Sequence, residues 1–247
     1  MSGASLRGQP AAAALLPALF GAWLVALLPG CGPPGPVAPV APEAIAPVAE
    51  QIRAVREGRA ERIEATERLS VADWESLRGL AGLEECVLRA GVAGDAEAEI
   101  LATLPDLTRL VLRESALSDA GFATLARCRT LEDVNVPQAA CSAAGIEALA
   151  AVPHLRRLRL GGPNLAGPEV ARAVASLPRL ESLHLIDVAI GDEGLAALTD
   201  LATLRNLYLD GAGVSDAAWE RYFVARPSVH VHVDQAHHDR DPSRGHD

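Results

Sequence analysis

One sentence of this chain is written at least six times. Around the stretch His184 to Trp219, Leu183, Leu185, Ile190 and Leu195 return as Leu207, Leu209, Val214 and Trp219, each 24 residues later. Taking Leu107 as position 1, the same frame restarts at Leu83, Leu131, Leu155, Leu180 and Leu204, with spacings of 24, 24, 24, 25 and 24. Position 4 is then Cys86, Leu110, Val134, Leu158, Leu183 and Leu207; position 6 is Leu88, Leu112, Val136, Leu160, Leu185 and Leu209. Position 11 is Ala93, Leu117, Cys141, Leu165, Ile190 and Val214. Each unit opens with the alternation of a strand and continues with the three-to-four spacing of a helix. A single unit cannot cover its own apolar face, whereas stacked units can, so the period demands an α/β solenoid.

Helix starts are marked chemically. Ser70, Ser118, Ser142 and Ser215 share one frame position, where a hydroxyl can accept a backbone N–H and cap a helix. Asp119, Asp192 and Asp216 follow in the first turn, where negative charge favours the helix N-terminus. At the ends, "LSVADWESLRGLAGL" keeps the helix half of a unit, with Trp74 in the slot of Phe122. Residues 50–68, with Ile52, Val55 and Ile63 spaced along an Arg- and Glu-rich run, are expected to form an amphipathic lid. At the other end Val229, Val231 and Val233 alternate as a closing strand, and Trp219 and Tyr222 would plug the last helix layer.

These residues resemble the leucine-rich repeat family in its L-x-x-L-x-L start, and "SDAG" and "GDEG" are similar to helix starts of its strand–helix subtypes. The resemblance covers residues 69–234 and implies a right-handed horseshoe of parallel strands and helices that recognises proteins on its concave face. The chain departs from the family at position 9. Where many members place Asn or Cys, it has Gly91, Ser115, Ala139, Pro163, Val188 and Ala212, so turn backbones there must be satisfied by main chain or water.

Before the repeats, "AAAALLPALFGAWLVALLPG" is uncharged and apolar, and only Arg7 precedes it, as in an export signal. It ends in "LLPGC", which resembles the lipobox of bacterial lipoproteins and implies lipidation of Cys31, with Pro29 atypical at its place. Cleavage to a secreted protein and an uncleaved helix are the alternatives that a run of this length leaves open. "GPPGPVAPVAPEAIAPVAE" after Cys31 is a Pro/Ala spacer that favours extended conformations. The expected organisation is a signal at 1–30, lipidated Cys31 and linker at 31–49, a helical cap and degenerate repeat at 50–82, and six repeats at 83–228. Residues 229–247 would be a closing strand and a His-rich loose tail. The expected location is the bacterial cell envelope, and Gly32 after the cysteine resembles lipoproteins sorted to the outer membrane.

A net charge of −10, with every one of the 22 basic residues an arginine, argues against a nucleic-acid partner. No G-x-S-x-G, Walker loop or H-E-x-x-H is present, and "GAGVSD" lacks the third glycine of a dinucleotide loop. No enzymatic activity or obligatory cofactor is expected. Cys86, Cys128 and Cys141 occupy apolar frame positions and are expected to be buried thiols. Five of the seven histidines follow Pro227; His230, His232, His237 and His238 are candidate ligands for zinc, nickel or copper, against a solvated tail as the alternative.

Positions 3, 5 and 7 of each unit point onto the concave face. They place Arg89, Arg109, Arg113, Arg157 and Arg159 against Glu85, Asp133 and Asp210, together with His184 and Tyr208. With strands ~4.8 Å apart, Arg109 and Arg157 would stand about 10 Å apart and straddle Asp133. Arginine forks suit carboxylates, so a monomer binding a protein partner through an acidic segment is the expected function. A metal-sequestering envelope protein and a spacer without a ligand are the other readings.

Overall fold

The computed structural model describes residues 45–241, all within one compact unit. The expected signal, Cys31 and most of the linker lie outside the described residues, as does His246. No helix among the described residues is long and apolar enough to cross a membrane.

Strand and helix alternate along the chain. Helix α1 (Val48–Arg56) leads into β1 (Arg62–Ala65), α2 (Val71–Leu77), β2 (Glu85–Leu88), α3 (Asp95–Leu101), β3 (Arg109–Leu112) and α4 (Asp119–Leu125). There follow β4 (Asp133–Val136), α5 (Ala143–Ala148), β5 (Arg157–Gly161), α6 (Pro168–Ala175), β6 (Ser182–Ile186) and α7 (Gly191–Ala197). The series ends with β7 (Asn206–Leu209), α8 (Asp216–Ala225), β8 (His230–Val233) and β9 (Ala236–His237). All nine strands lie in one sheet in strict sequence order; β1 to β8 are parallel and only β9 runs antiparallel.

Register is set by the frame. Leu110 pairs with Val134, Val134 with Leu158, Leu158 with Leu183 and Leu183 with Leu207, so position 4 stacks on position 4 throughout. Positions 4 and 6 of all six repeats are buried, and the position 11 residues, all buried except the half-buried Val214, close the turn beneath them. The three cysteines sit in this core as free thiols. Burial pushes Cys86 up to about 12, Cys128 up to about 11 and Cys141 up to about 12. The backbone groups left by the atypical position 9 are met partly by main chain, Ala139 N–H donating to the Gly161 carbonyl at 2.7 Å.

Two ends differ from the sequence expectation. Residues 50–68 are not one helical lid: α1 stops at Arg56, and β1 adds a strand to the sheet with Ile63 opposite Cys86. That pairing spans 23 residues rather than 24, and Ala60 stands where the other units have leucine, which hides the unit from the frame. At the far end the chain reverses after β8 through Asp234 and Gln235, both at positive φ (50° and 66°), the backbone of a tight hairpin turn. Residues 236–237 therefore pair with β8 rather than trailing away.

The four serines cap their helices as expected, Ser70 accepting from Asp73 N–H, Ser118 from Ala120, Ser142 from Ala144 and Ser215 from Ala218. Three first-turn aspartates, Asp95, Asp119 and Asp192, do more than complement a helix dipole. Asp119 accepts from the next unit's Ser142 backbone N–H (2.7 Å), Ser142 hydroxyl (2.8 Å) and Gly145 N–H (3.0 Å). Asp95 holds Ser118 and Asp192 holds Ser215 in the same way. The "SDAG" and "GDEG" starts are thus clasps between successive helices. In two of them a glycine of the receiving helix leaves room: a Cβ at Gly145 would sit 2.7 Å from Asp119 Oδ1, and one at Gly121 2.3 Å from Asp95 Oδ1.

The Ser142 N–H, above all, holds Asp119 below the usual aspartate range, and the Ser215 N–H does the same for Asp192. A folded-state value below the unfolded one contributes stability that is complete above the ordinary aspartate range and is lost as pH falls from that range through the lowered folded-state value. Two measurements check the clasp. In chemical denaturation Asp119→Ala is expected to cost about 1–3 kcal/mol, the penalty of stranding half-buried donors, and to flatten the loss of stability on acidification. Gly145→Ala, which would help an ordinary helix, is expected to destabilise by about 1–3 kcal/mol through overpacking. The cysteine environments give a second expectation: Cys86, Cys128 and Cys141 resist iodoacetamide at pH 8 in the folded protein and react only when it is unfolded, as peptide mass spectrometry would record.

Candidate functional site

Because strand side chains alternate, positions 3, 5 and 7 form three columns on the sheet face opposite the helices. Column 3 reads Arg62, Glu85, Arg109, Asp133, Arg157 across five adjacent strands, alternating in sign at every step. The alternation is physical. Arg62 lies 2.6 Å from Glu85, Arg109 3.7 Å from Glu85 and 3.3 Å from Asp133, and Arg157 3.1 Å from Asp133. Glu64 adds a second rung, bridging Arg62 and Arg89; hydrogen bonds from Arg62 and Arg89 hold it below the usual glutamate range. Arg109 and Arg157 do straddle Asp133, but the aspartate engages both. They belong to a ladder internal to the chain. Such exposed pairs contribute about 0–1 kcal/mol each, so the ladder sets charge compatibility between strands more than it sets stability.

Val87 and Val111, at position 5, are buried although they face away from the core. On that face Val111 lies between Arg109 and Arg113 and Val87 between Glu85 and Arg89, long side chains whose stems can cover apolar surface while the charge stays in water.

From β5 onward the columns change character. Arg159, His184, Tyr208 and His232 follow one another in column 5. His184 stacks against Tyr208 at 5.5 Å between ring centroids, Tyr208 against His232 at 4.9 Å, and His232 against His237 of β9 at 4.0 Å. His184 Nε2 is 2.9 Å from Asp210, which ties that ring down. At the junction of the two zones is an open cleft of about 780 Å³ lined by Arg89, Arg113, Arg159, Pro137, Pro163 and Ile186, with Glu114 and Asp187 also on its wall.

The structure thus sorts the sequence-predicted residues. Arg89, Arg109, Asp133 and Arg157 fall into the ladder. Among the described residues, Arg113 and Arg159 have no carboxylate partner within ion-pair distance, and Arg159 Nε is buried without a hydrogen-bond partner. His184 and Tyr208 join a ring stack instead of the arginine zone. Arg62 and Glu64, on the strand that the frame did not reveal, are part of the same face.

Of the four candidate metal ligands, three come together: His230, His232 and His237 offer nitrogens within 4.8 Å of one another. His238 does not join them. It follows His237 in an extended stretch and so points the other way, packing on Trp219 (4.8 Å) and Phe223 (4.9 Å) over α8; burial there lowers its proton affinity. Asp241, whose side chain is fully buried, stands behind the three, 2.8 Å from His230 Nδ1 and 3.5 Å from His237 Nδ1. Asp241 was not singled out from the sequence, because nothing in "DRDP" shows which carboxylate the hairpin returns to the core.

No protein-family model matches the chain, and no curated protein does. Among solved structures it is similar to an internalin (InlF) of Listeria monocytogenes, at 16% identity and a TM-score of 0.43, over 73% of this chain and 62% of that one. It is also similar to the leucine-rich repeat ectodomain of the Arabidopsis receptor kinase HAESA, determined with an N-terminally extended IDA peptide hormone ligand. There the identity is 15% and the TM-score 0.36, over 62% of this chain and 36% of that one. The chain therefore spans less than two thirds of either structure's length. By its own strand order, register and strand–helix alternation, the fold is an α/β leucine-rich repeat solenoid.

Proposed function

We propose that this protein is a recognition module of the bacterial cell envelope, carried by a lipid on Cys31, whose open sheet face binds an acidic segment of a protein partner at Arg113 and Arg159. One observation carries the reading. Arg62, Arg89, Arg109 and Arg157 on this face each have a carboxylate partner, whereas Arg113 and Arg159 have none among the described residues. Arg159 Nε is buried without an acceptor, a donor that an incoming carboxylate would satisfy. The flanking Pro137, Pro163 and Ile186 supply apolar surface beside the two forks. A charged anchor within a partly apolar cleft is the usual composition of a binding hot spot. Glu114 and Asp187 bound the positive zone and disfavour long anionic ligands such as nucleic acid. The lipid anchor is supported by the uncharged apolar run ending in "LLPGC" and by the Pro/Ala spacer that follows it.

Short labelled peptides rich in Asp and Glu, compared with Asn and Gln counterparts, test the site by fluorescence anisotropy. The acidic series is expected to bind at least about 10-fold tighter at low salt, with the preference shrinking as salt screens the charges. Arg113→Glu with Arg159→Glu is expected to abolish it, about 2 kcal/mol or more for a hot-spot pair, while Arg157→Gln in the ladder leaves it nearly intact. Equal affinity for both series would remove the proposed site. Crosslinking in envelope extract, wild type beside the double variant, would then name the natural partner. Anchoring has its own readout: metabolic labelling with an alkyne palmitate should mark the wild type and not Cys31→Ala. An unlabelled wild type would refute the anchor without touching the recognition face.

A further inference from the structure

We propose that His230, His232 and His237 form a binding site for one divalent transition-metal ion of the zinc, nickel or copper class, seated where the closing hairpin meets the end of the sheet. The backbone assembles it. Alternation along β8 places His230 and His232 on one face, and the antiparallel return of β9 sets His237 directly opposite His232. His230 Nε2 and His232 Nε2 already stand 2.9 Å apart, and the ligand nitrogens of all three lie within 4.8 Å of one another. Zinc–imidazole bonds of about 2.0–2.1 Å at tetrahedral angles set nitrogens on one ion ~3.4 Å apart, a spacing that falls between the closest and the widest separations in this group.

The surroundings match what such a site requires. Asp241 is fixed by the Val231 N–H at 2.8 Å, and its Oδ2 faces His230 Nδ1 at 2.8 Å. A carboxylate taking the Nδ1–H of an imidazole sets the tautomer, leaves the Nε2 lone pair for a metal and strengthens it as a donor. His230 Nε2 is the nitrogen that faces His232 Nε2, in a hydrogen bond that a bound ion would replace. His230 and His237 are about one quarter exposed and His232 is half-buried, open enough for an ion to enter and enclosed enough to hold their orientation. Three neutral imidazoles suit zinc, copper and nickel better than magnesium or calcium. Three protein ligands also leave a coordination position for water or for an atom of a partner. The ion would tie β9, a strand of two residues, to β8.

The test uses the full-length, untagged protein, stripped with chelator and titrated with Zn²⁺ alone. Calorimetry is expected to show saturable binding of one ion, with a rise in the thermal midpoint. His230→Ala with His237→Ala should weaken binding at least 10-fold, and Asp241→Asn about 10–100-fold, the usual effect of losing an outer-shell partner. His238→Ala, on the other face, should bind as wild type does. In case a variant misfolds, imidazole ¹⁵N–¹H spectra of the wild type give an independent reading. Zinc should shift the ring nitrogens of His230, His232 and His237 and leave those of His154 and His184 in place. No saturable binding, or shifts confined to other histidines, would overturn the site.

Discussion

Everything in this protein depends on parallel, in-register pairing at a fixed period. Each backbone N–H and C=O of one strand is answered by the strand 23 to 25 residues away, as Leu110 is set on Val134 and Leu158 on Leu183. The consequence is geometric. A position in the repeat becomes a column in space, with members ~4.8 Å apart, and each column must be compatible with itself. Apolar columns at positions 4 and 6 satisfy that by packing into one continuous core. A charged column is favoured when its signs alternate, since like charges on adjacent strands repel. Column 3 does alternate across five strands.

The same rule explains the clasps. Aspartate and serine occupy neighbouring frame positions, so stacking carries each aspartate of one unit to the serine of the next, where three donors converge on Asp119. Between the units capped by Ser142 and by Gly167 the clasp is missing, because Ala143 and Gly167 replace the aspartate and the serine. There Pro168 starts α6, and a glycine cap offers no hydroxyl to hold. The solenoid is therefore not held uniformly along its length: polar clasps join α3 to α4, α4 to α5 and α7 to α8, whereas α5, α6 and α7 are joined by packing and by the Arg172–Glu193 pair.

How much of this the sequence disclosed follows from which interactions leave a periodic trace. The core columns, the serine caps and the buried cysteines repeat or replace a repeated residue, and each was readable. The β1 strand was not, because a one-residue contraction and Ala60 in a leucine slot break the frame while the backbone pairing survives. The role of the aspartates was half visible: their place at a helix start is local, but their acceptor role belongs to the neighbouring unit. Arg113 and Arg159 could be counted onto the open face, yet only side-chain geometry distinguishes them from the paired arginines beside them. The hairpin escaped because Asp234 and Gln235 adopt positive φ without the Asn-Gly signature that announces such a turn.

Ends are where a stacking rule fails, since the last unit has no successor. Arg226 answers part of the problem by donating to the carbonyls of Thr199, Leu201, Ala202 and Leu204 in the preceding turn. Trp219 and Tyr222 close the helix layer, with His238 laid across the Trp219 ring. The sheet is harder to finish, because an unpaired parallel edge invites another chain. Here the chain turns back on itself: β9 covers part of β8, and Asp241 reaches into the interior to hold the Val231 N–H. A strand of two residues cannot persist on its own hydrogen bonds. The ring contacts among His230, His232 and His237 and the Asp241 carboxylate held by the Val231 N–H are side-chain interactions that add to those bonds at this edge.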